Sequence, residues 1–173
     1  MGIEKRYGDR AAVRATAFWL EVDNLIDFDF ASVACGSGFG CYNQVPGTSR
    51  RTGVELEGEV ALNDMFTIGA NYTYTDSATS ATTAWGSVPR HALGLSLGAE
   101  ITPEISGTLN INHAADRAGL PDYTVANLAL DYDFGNDTRA TLRVENLFDE
   151  QYQLVSGYGT SGRAIYVGLA KSF

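Results

Sequence analysis

Along most of its length the chain alternates apolar and polar residues with a period of two, and the alternating stretches are joined by connections that are short and long by turns. Val54, Leu56, Gly58, Val60 and Leu62 stand against Glu55, Glu57 and Glu59, and Phe66, Ile68, Ala70, Tyr72 and Tyr74 against Thr67, Asn71, Thr73 and Thr75. Leu93, Leu95, Leu97 and Ala99 then oppose Gly94, Ser96 and Gly98, and Ile105, Leu109 and Ile111 oppose Ser106, Thr108, Asn110 and Asn112. Ala126, Leu128, Leu130, Tyr132 and Phe134 face away from Asn127, Asp131 and Asp133, and Ala140, Leu142 and Val144 from Thr141, Arg143 and Glu145. A period of two puts successive side chains on opposite faces of a strand, so each stretch reads as a strand between two different environments.

Two more segments complete a count of about eight strands. The last carries Ile165, Val167, Leu169 and Phe173 on one face, and residues 11–30 form a long segment that alternates well only through Trp19. Asn63-Asp64, Thr102-Pro103 and Gly135-Asn136-Asp137 are expected as tight turns, whereas residues 31–40, 76–87, 114–121 and 153–162 form the longer connections. Short turns on one rim and long loops on the other are the asymmetry of an outer-membrane barrel. Phe66, Tyr72, Tyr74, Tyr132, Phe134 and Phe148 fall near the ends of apolar stripes, where interfacial girdles belong. A soluble β-sandwich with an aromatic core is the competing architecture.

Composition excludes other classes. The chain has a formal net charge of -9, and its basic residues are scattered, which argues against a nucleic-acid partner. Arg14, Glu21 and Asp23 interrupt the richest apolar stretch, so no run is long enough for a transmembrane helix, and a membrane role must come from strands. Residues 1–10 lack the apolar centre of a signal peptide, so an exported chain would have lost its signal or would be a piece of a longer one.

Residues with chemical potential are few. His91 and His113 lie on different strands without a second ligand at metal spacing, and no cofactor is expected. A hydrolase would require a serine or aspartate beside one of them. Glu55, Glu57 and Glu59 share a face at about 7 Å spacing, which could suit a cation but better suits a wet lumen. On a lipid face each charge would cost up to about 2 to 4 kcal/mol. Glu55, Glu57, Glu59, Asn71, Asn110, Asp131, Arg143 and Glu145 are therefore expected to face the lumen, and Leu56, Tyr72, Leu109, Leu130 and Val144 the lipid. Cys35 and Cys41 flank a glycine-rich run in an expected extracellular loop, where a bridge is favoured over two free thiols.

From Val144 onward the motifs are those of a known family. VENLFDEQY, SGYGTSGR and a terminal strand ending in Phe resemble the closing strands of TonB-dependent outer-membrane receptors. Asn146, Leu147, Phe148, Asp149 and Tyr152 match the first element, Gly157, Tyr158, Gly162 and Arg163 the second. Upstream, Asn24 to Ile26, Gly53-Val54-Glu55, Tyr72 to Tyr74 and Pro89-Arg90 extend the likeness over nearly the whole chain. Two positions depart from the pattern: Lys171 replaces the aromatic of the usual terminal Tyr-x-Phe, and Tyr42-Asn43-Gln44 only approximates the middle motif.

The resemblance implies an all-β, antiparallel transmembrane barrel, of which residues 1–173 would be the C-terminal part, within about 22 strands in all and without the plug domain. It implies import of a scarce nutrient from the outer membrane. The GYGTSGR ending most resembles cobalamin receptors, and siderophore receptors share its outline. The implied partners are outer-membrane lipid, the rest of the barrel and plug, the TonB complex reached through that plug, and the barrel assembly machinery, which would read Phe173. The resemblance implies no enzymatic activity. The competing function is a self-contained small barrel with a structural or adhesive role, which would need a closed eight-strand wall. Such a wall has a narrow interior filled by side chains, where the acidic residues would be buried together.

Overall fold

The computed structural model describes residues 1–30, 32, 33, 36, 38–78 and 88–172. The strands are β1 (Gly2–Tyr7), β2 (Ala11–Asp23), β3 (Ile26–Asp29), β4 (Cys41–Gln44), β5 (Thr48–Ala61), β6 (Phe66–Ala78), β7 (His91–Glu100), β8 (Ile105–Ala115), β9 (Tyr123–Gly135), β10 (Thr138–Glu145) and β11 (Ala164–Lys171). Nine of them form one antiparallel sheet in the order β1-β2-β5-β6-β7-β8-β9-β10-β11, while β3 and β4 pair separately. Among the described residues β1 and β11 each have one neighbour, so the sheet is open.

The eleven strands exceed the expected count for two local reasons. β1 was not anticipated, because Lys5 falls between Ile3 and Tyr7 on its apolar side and breaks the pattern. Its ammonium lies 4.9 Å from the Tyr7 ring centroid, the posture of a lysine that carries its charge past apolar surface. The segment 11–30 also divides. Asn24 (φ 52) and Gly47 (φ 95) take left-handed backbone on opposite sides of the β2–β5 ladder, and Asn24 N–H donates to the Gly47 carbonyl at 3.0 Å. The ladder stops there and resumes as the β3–β4 hairpin, where Phe28 packs edge-on against Phe30 and Tyr42.

Short turns at residues 8–10, 62–65, 101–104 and 136–137 occupy one rim, and the strand ends joined by the longer connections, β2 to β5, β6 to β7, β8 to β9 and β10 to β11, stand at the other. Asn63 Oδ1 accepts the Met65 and Phe66 N–H groups, and Thr102 Oγ1 those of Glu104 and Ile105, so polar turn residues satisfy the backbone where the ladder ends. Gly135, Asn136 and Asp137 all have positive φ, and the register shifts by one between Thr138 and Arg139.

Register decides the faces. The pairs Glu57↔Asn71, Asn71↔Gly94, Ser96↔Asn110, Asn110↔Asn127 and Thr141↔Asp131 put Glu55, Glu57, Glu59, Asn71, Asn110, Asp131, Arg143 and Glu145 on one side. Leu56, Tyr72, Leu109, Leu130 and Val144 occupy the other. That apolar side is poorly covered by protein, with Val167 81% and Leu169 74% exposed. Hydrocarbon is the environment in which such a face costs nothing and a closed ladder of backbone hydrogen bonds is required.

The strands are inclined. The row of paired residues Lys5, Val13, Gly58, Ala70, Leu95, Ile111 and Ala126 begins three residues from its short turn and ends about ten from the last one. About one residue of slip per strand, with about 3.3 Å rise and 4.8 Å spacing, corresponds to a tilt of about 35°, the inclination of membrane barrels.

Candidate functional site

Two regions carry the side chains that a solute or partner could meet: the polar face and the rim of long connections. On the polar face Arg14 lies between two acids, with Nη2 2.9 Å from Glu4 Oε2 and Nη1 3.4 Å from Glu57 Oε2, while Arg6 Nε stands 2.8 Å from Glu4 Oε1. These pairs are half-exposed and add little to stability; they relieve repulsion along a row that also holds Glu55 and Glu59. The row lines a depression of about 490 Å³ with Asn71, Thr73 and Ser96. Farther along the same face Thr141 donates to Asp131 at 2.8 Å, and Arg143 Nε stands 3.3 Å from Glu145 while its guanidinium covers the Tyr166 ring at 4.7 Å.

At the rim, the residues that matched the terminal family motif bind one another. Asn146 is 4% exposed. Its Nδ2 donates to the carbonyls of Glu150 (2.9 Å) and Ser161 (3.3 Å), and its Oδ1 accepts the Glu150 N–H at 2.8 Å. Asp149 Oδ1 accepts the Arg163 N–H at 2.8 Å, and Arg163 Nη1 donates to the Leu147 carbonyl at 3.3 Å. A Cβ on Gly162 would stand 2.7 Å from Asp149 Oδ1, so a larger residue there would push on the carboxylate that holds the Arg163 N–H. Asn146 (φ 50) and Asp149 (φ 58) both hold left-handed backbone, which short polar side chains tolerate best. Phe148, by contrast, is 74% exposed in the connection rather than in a strand.

Tyr152 stacks on Tyr123 with centroids 4.6 Å apart, and the Arg117 guanidinium lies 4.9 Å from the Tyr123 ring. Beneath the last connection a recess of about 570 Å³ is lined by Asn127, Arg143, Glu145, Asn146 and Tyr152. Asn127 was read as part of a polar face, whereas Arg117 and Tyr123 were not singled out from the sequence. A lone arginine in a loop, with its partners up to 37 residues away, leaves no local pattern.

Several expectations meet plain geometry. His91 Nδ1 lies 2.7 Å from Tyr72 Oη and His113 Nδ1 2.8 Å from Thr124 Oγ1, both on the apolar side; among the described residues these are the side-chain hydrogen-bond partners of the two imidazoles. Among the described residues no group of three His, Cys, Asp or Glu side chains is placed to hold a metal ion. Cys41 is 4% exposed and disulfide-bonded. Cys35 and Phe173 lie outside the described residues.

The polar face and the rim present polar side chains and recesses to a solute. Known proteins share this build. The pyoverdine outer membrane receptor FpvA from Pseudomonas aeruginosa PAO1 superposes with a TM-score of 0.75 over 99% of this chain and 29% of its own, at 16% identity. The siderophore receptor PirA from the same species gives 0.73 over 99% and 28%, at 21% identity. The copper transporter OprC gives 0.74 over 99% and 30%, at 17% identity. The chain thus spans about three-tenths of the length of these structures, and at such identities the likeness establishes the fold. No curated protein matches the sequence. The family model for the β-barrel of TonB dependent receptor-like proteins, however, matches residues 2–147. Taken with the two-faced inclined sheet, this match means that the chain belongs to the TonB dependent receptor-like β-barrel family, a family of outer-membrane transport receptors of Gram-negative bacteria.

Proposed function

We propose that these residues form the C-terminal stretch of the barrel wall in a receptor that imports a scarce nutrient, an iron-siderophore or cobalamin, with energy coupled through TonB. The observation that carries this reading is the open sheet with one apolar and one charged face. Such a wall needs lipid on one side and a wide aqueous or plugged interior on the other. In that setting Glu55, Glu57, Glu59, Asn71, Asn110, Asp131, Arg143 and Glu145 line the lumen.

A plug belonging to the same receptor would make the contact with TonB. Phe173 is assigned to recognition by the barrel assembly machinery, and Cys35 to the bridge with Cys41. The role calls for no catalytic residue. The small-barrel alternative would need β1 and β11 to hydrogen-bond each other, and in the sheet they stand at opposite ends.

Structures named for pyoverdine and siderophore receptors favour iron-siderophores, while the GYGTSGR ending keeps cobalamin in view. The test is uptake by the host strain with and without the full-length gene. Accumulation of a labelled ferric siderophore or cobalamin should be lost on deletion and also in a strain lacking TonB. If uptake of every such ligand is unchanged by deletion, or survives loss of TonB, the proposal is wrong.

A further inference from the structure

Arg117 is 7% exposed, and among the described residues it makes no salt bridge, since Asp116 in the same connection pairs with Arg90 instead. Its charge is met by two carbonyl oxygens and a ring. Nη1 donates to the Pro121 carbonyl at 3.0 Å, closing its own connection, and Nη2 to the Leu154 carbonyl at 3.2 Å in the next one. The guanidinium covers Tyr123, which stacks on Tyr152. Stranding a guanidinium at this depth is costly, so the contact between the two connections is not readily given up. The planar fork suits two divergent carbonyls plus a ring face, a combination that an ammonium cannot reproduce.

Each connection is also braced. Asp122 Oδ1 accepts the Asp116 N–H at 2.9 Å, and Arg90, from the end of the connection that precedes β7, pairs with Asp116 at 2.9 Å. The later connection is held by the Asn146 and Asp149 bonds and by Thr160 Oγ1, which donates to the Tyr152 carbonyl at 2.8 Å. Two braced loops joined at a buried point move as one.

We propose that connections 116–122 and 146–163 form a single preorganised body keyed by Arg117, and that Arg117 is a positioning residue for ligand capture at this rim. It acts through Tyr123 on Tyr152, which also lines the recess of about 570 Å³ below. Preorganised loops bind more tightly because less disorder is lost on binding. The capture step rests on the import reading; the mechanical coupling does not.

The experiment uses the full-length receptor in its outer membrane or purified in detergent. Hydrogen exchange is measured without ligand on the parent protein, Arg117→Met and Arg117→Lys. Both variants should exchange at least tenfold faster in residues 116–122 and in residues 146–163 together. Faster exchange confined to 116–122 overturns the coupling.

A second arm introduces Leu120→Cys and Ser156→Cys, which face a common cleft between the two connections, and bridges them with a bifunctional thiol reagent without reductant. Ferric siderophore binding should weaken at least tenfold in Arg117→Met and return towards the parent value on bridging. With Arg117 present, the bridged receptor should bind and transport as the parent does. Loss of transport on bridging would mean that the connections must separate, and would refute the single body. If the parent binds neither ferric siderophores nor cobalamin, the import reading fails while the exchange result still decides the coupling.

Discussion

Leu95 and Ser96 are consecutive, yet introducing the same charge at each should have opposite consequences. Leu95 pairs with Ala70 and Ile111 on the apolar side and is 41% exposed. It stands six residues from the turn at 101–104. At about 3.3 Å per residue and a tilt of about 35°, that is about 16 Å from the short-turn rim, near the middle of an apolar band about 25 Å tall. An arginine there is expected to cost about 2 to 4 kcal/mol. Ser96 points the other way, between Gly69 and Asn110 and two strands from Glu59 across the side-chain-free Gly69, where an arginine meets water and has a carboxylate within reach. Its cost should lie within about 0.5 kcal/mol. The assay is equilibrium unfolding of the full receptor in lipid vesicles, followed by tryptophan fluorescence, with folded abundance in the outer membrane as a cellular check. Equal destabilisation by Leu95→Arg and Ser96→Arg, or the reverse order, would show that the faces are wrongly assigned.

Three further outcomes follow from local geometry. A Cβ at Gly53 would press on the Tyr74 carbonyl oxygen and stand 2.5 Å from Phe18 Cζ, so Gly53→Ala should cost about 1 to 3 kcal/mol in the same unfolding assay; a neutral result would mean that the Phe18 ring is not seated there. Asn146→Ala loses three side-chain hydrogen bonds at about 1 kcal/mol each and adds backbone strain of about 1 to 2 kcal/mol at φ 50. Asn146→Gly should avoid the strain, so thermolysin should cut the last connection fastest in Asn146→Ala, more slowly in Asn146→Gly and slowest in the parent. For the proposed Cys35–Cys41 bridge, mass spectrometry of oxidised receptor should find a cross-linked peptide pair and no alkylated thiol; two alkylated cysteines would refute it.

What the sequence made legible was whatever repeats with the strand period. From Val54 to Val144 every stated face agrees with the register, because a slip of one residue would turn a whole stripe of leucines or glutamates the wrong way. Short strands escaped: β1 was lost to Lys5 on its apolar side, and β3 to its brevity after the left-handed Asn24. The terminal motif was visible as a pattern, but the bonds by which Asn146 and Asp149 fold the last connection arise only when residues 146 and 161 meet. The Arg117 contacts were invisible for the same reason, since its partners are two backbone carbonyls and a ring, which no local charge pattern marks.

The inclination of the strands also fixes a curvature. A cylinder of about 22 strands spaced about 4.8 Å apart and tilted about 35° has a backbone radius of about 20 Å, on which nine strands sweep an arc of about 150°. Rolled up alone at the same tilt, those nine strands would have a radius of about 9 Å. Phe18, Tyr123 and Tyr166 share the polar face with Glu55, Glu57 and Glu59 and would then converge on the axis. The gentle arc keeps them apart, so the charge pattern of this face sets a minimum bore for any channel built around it.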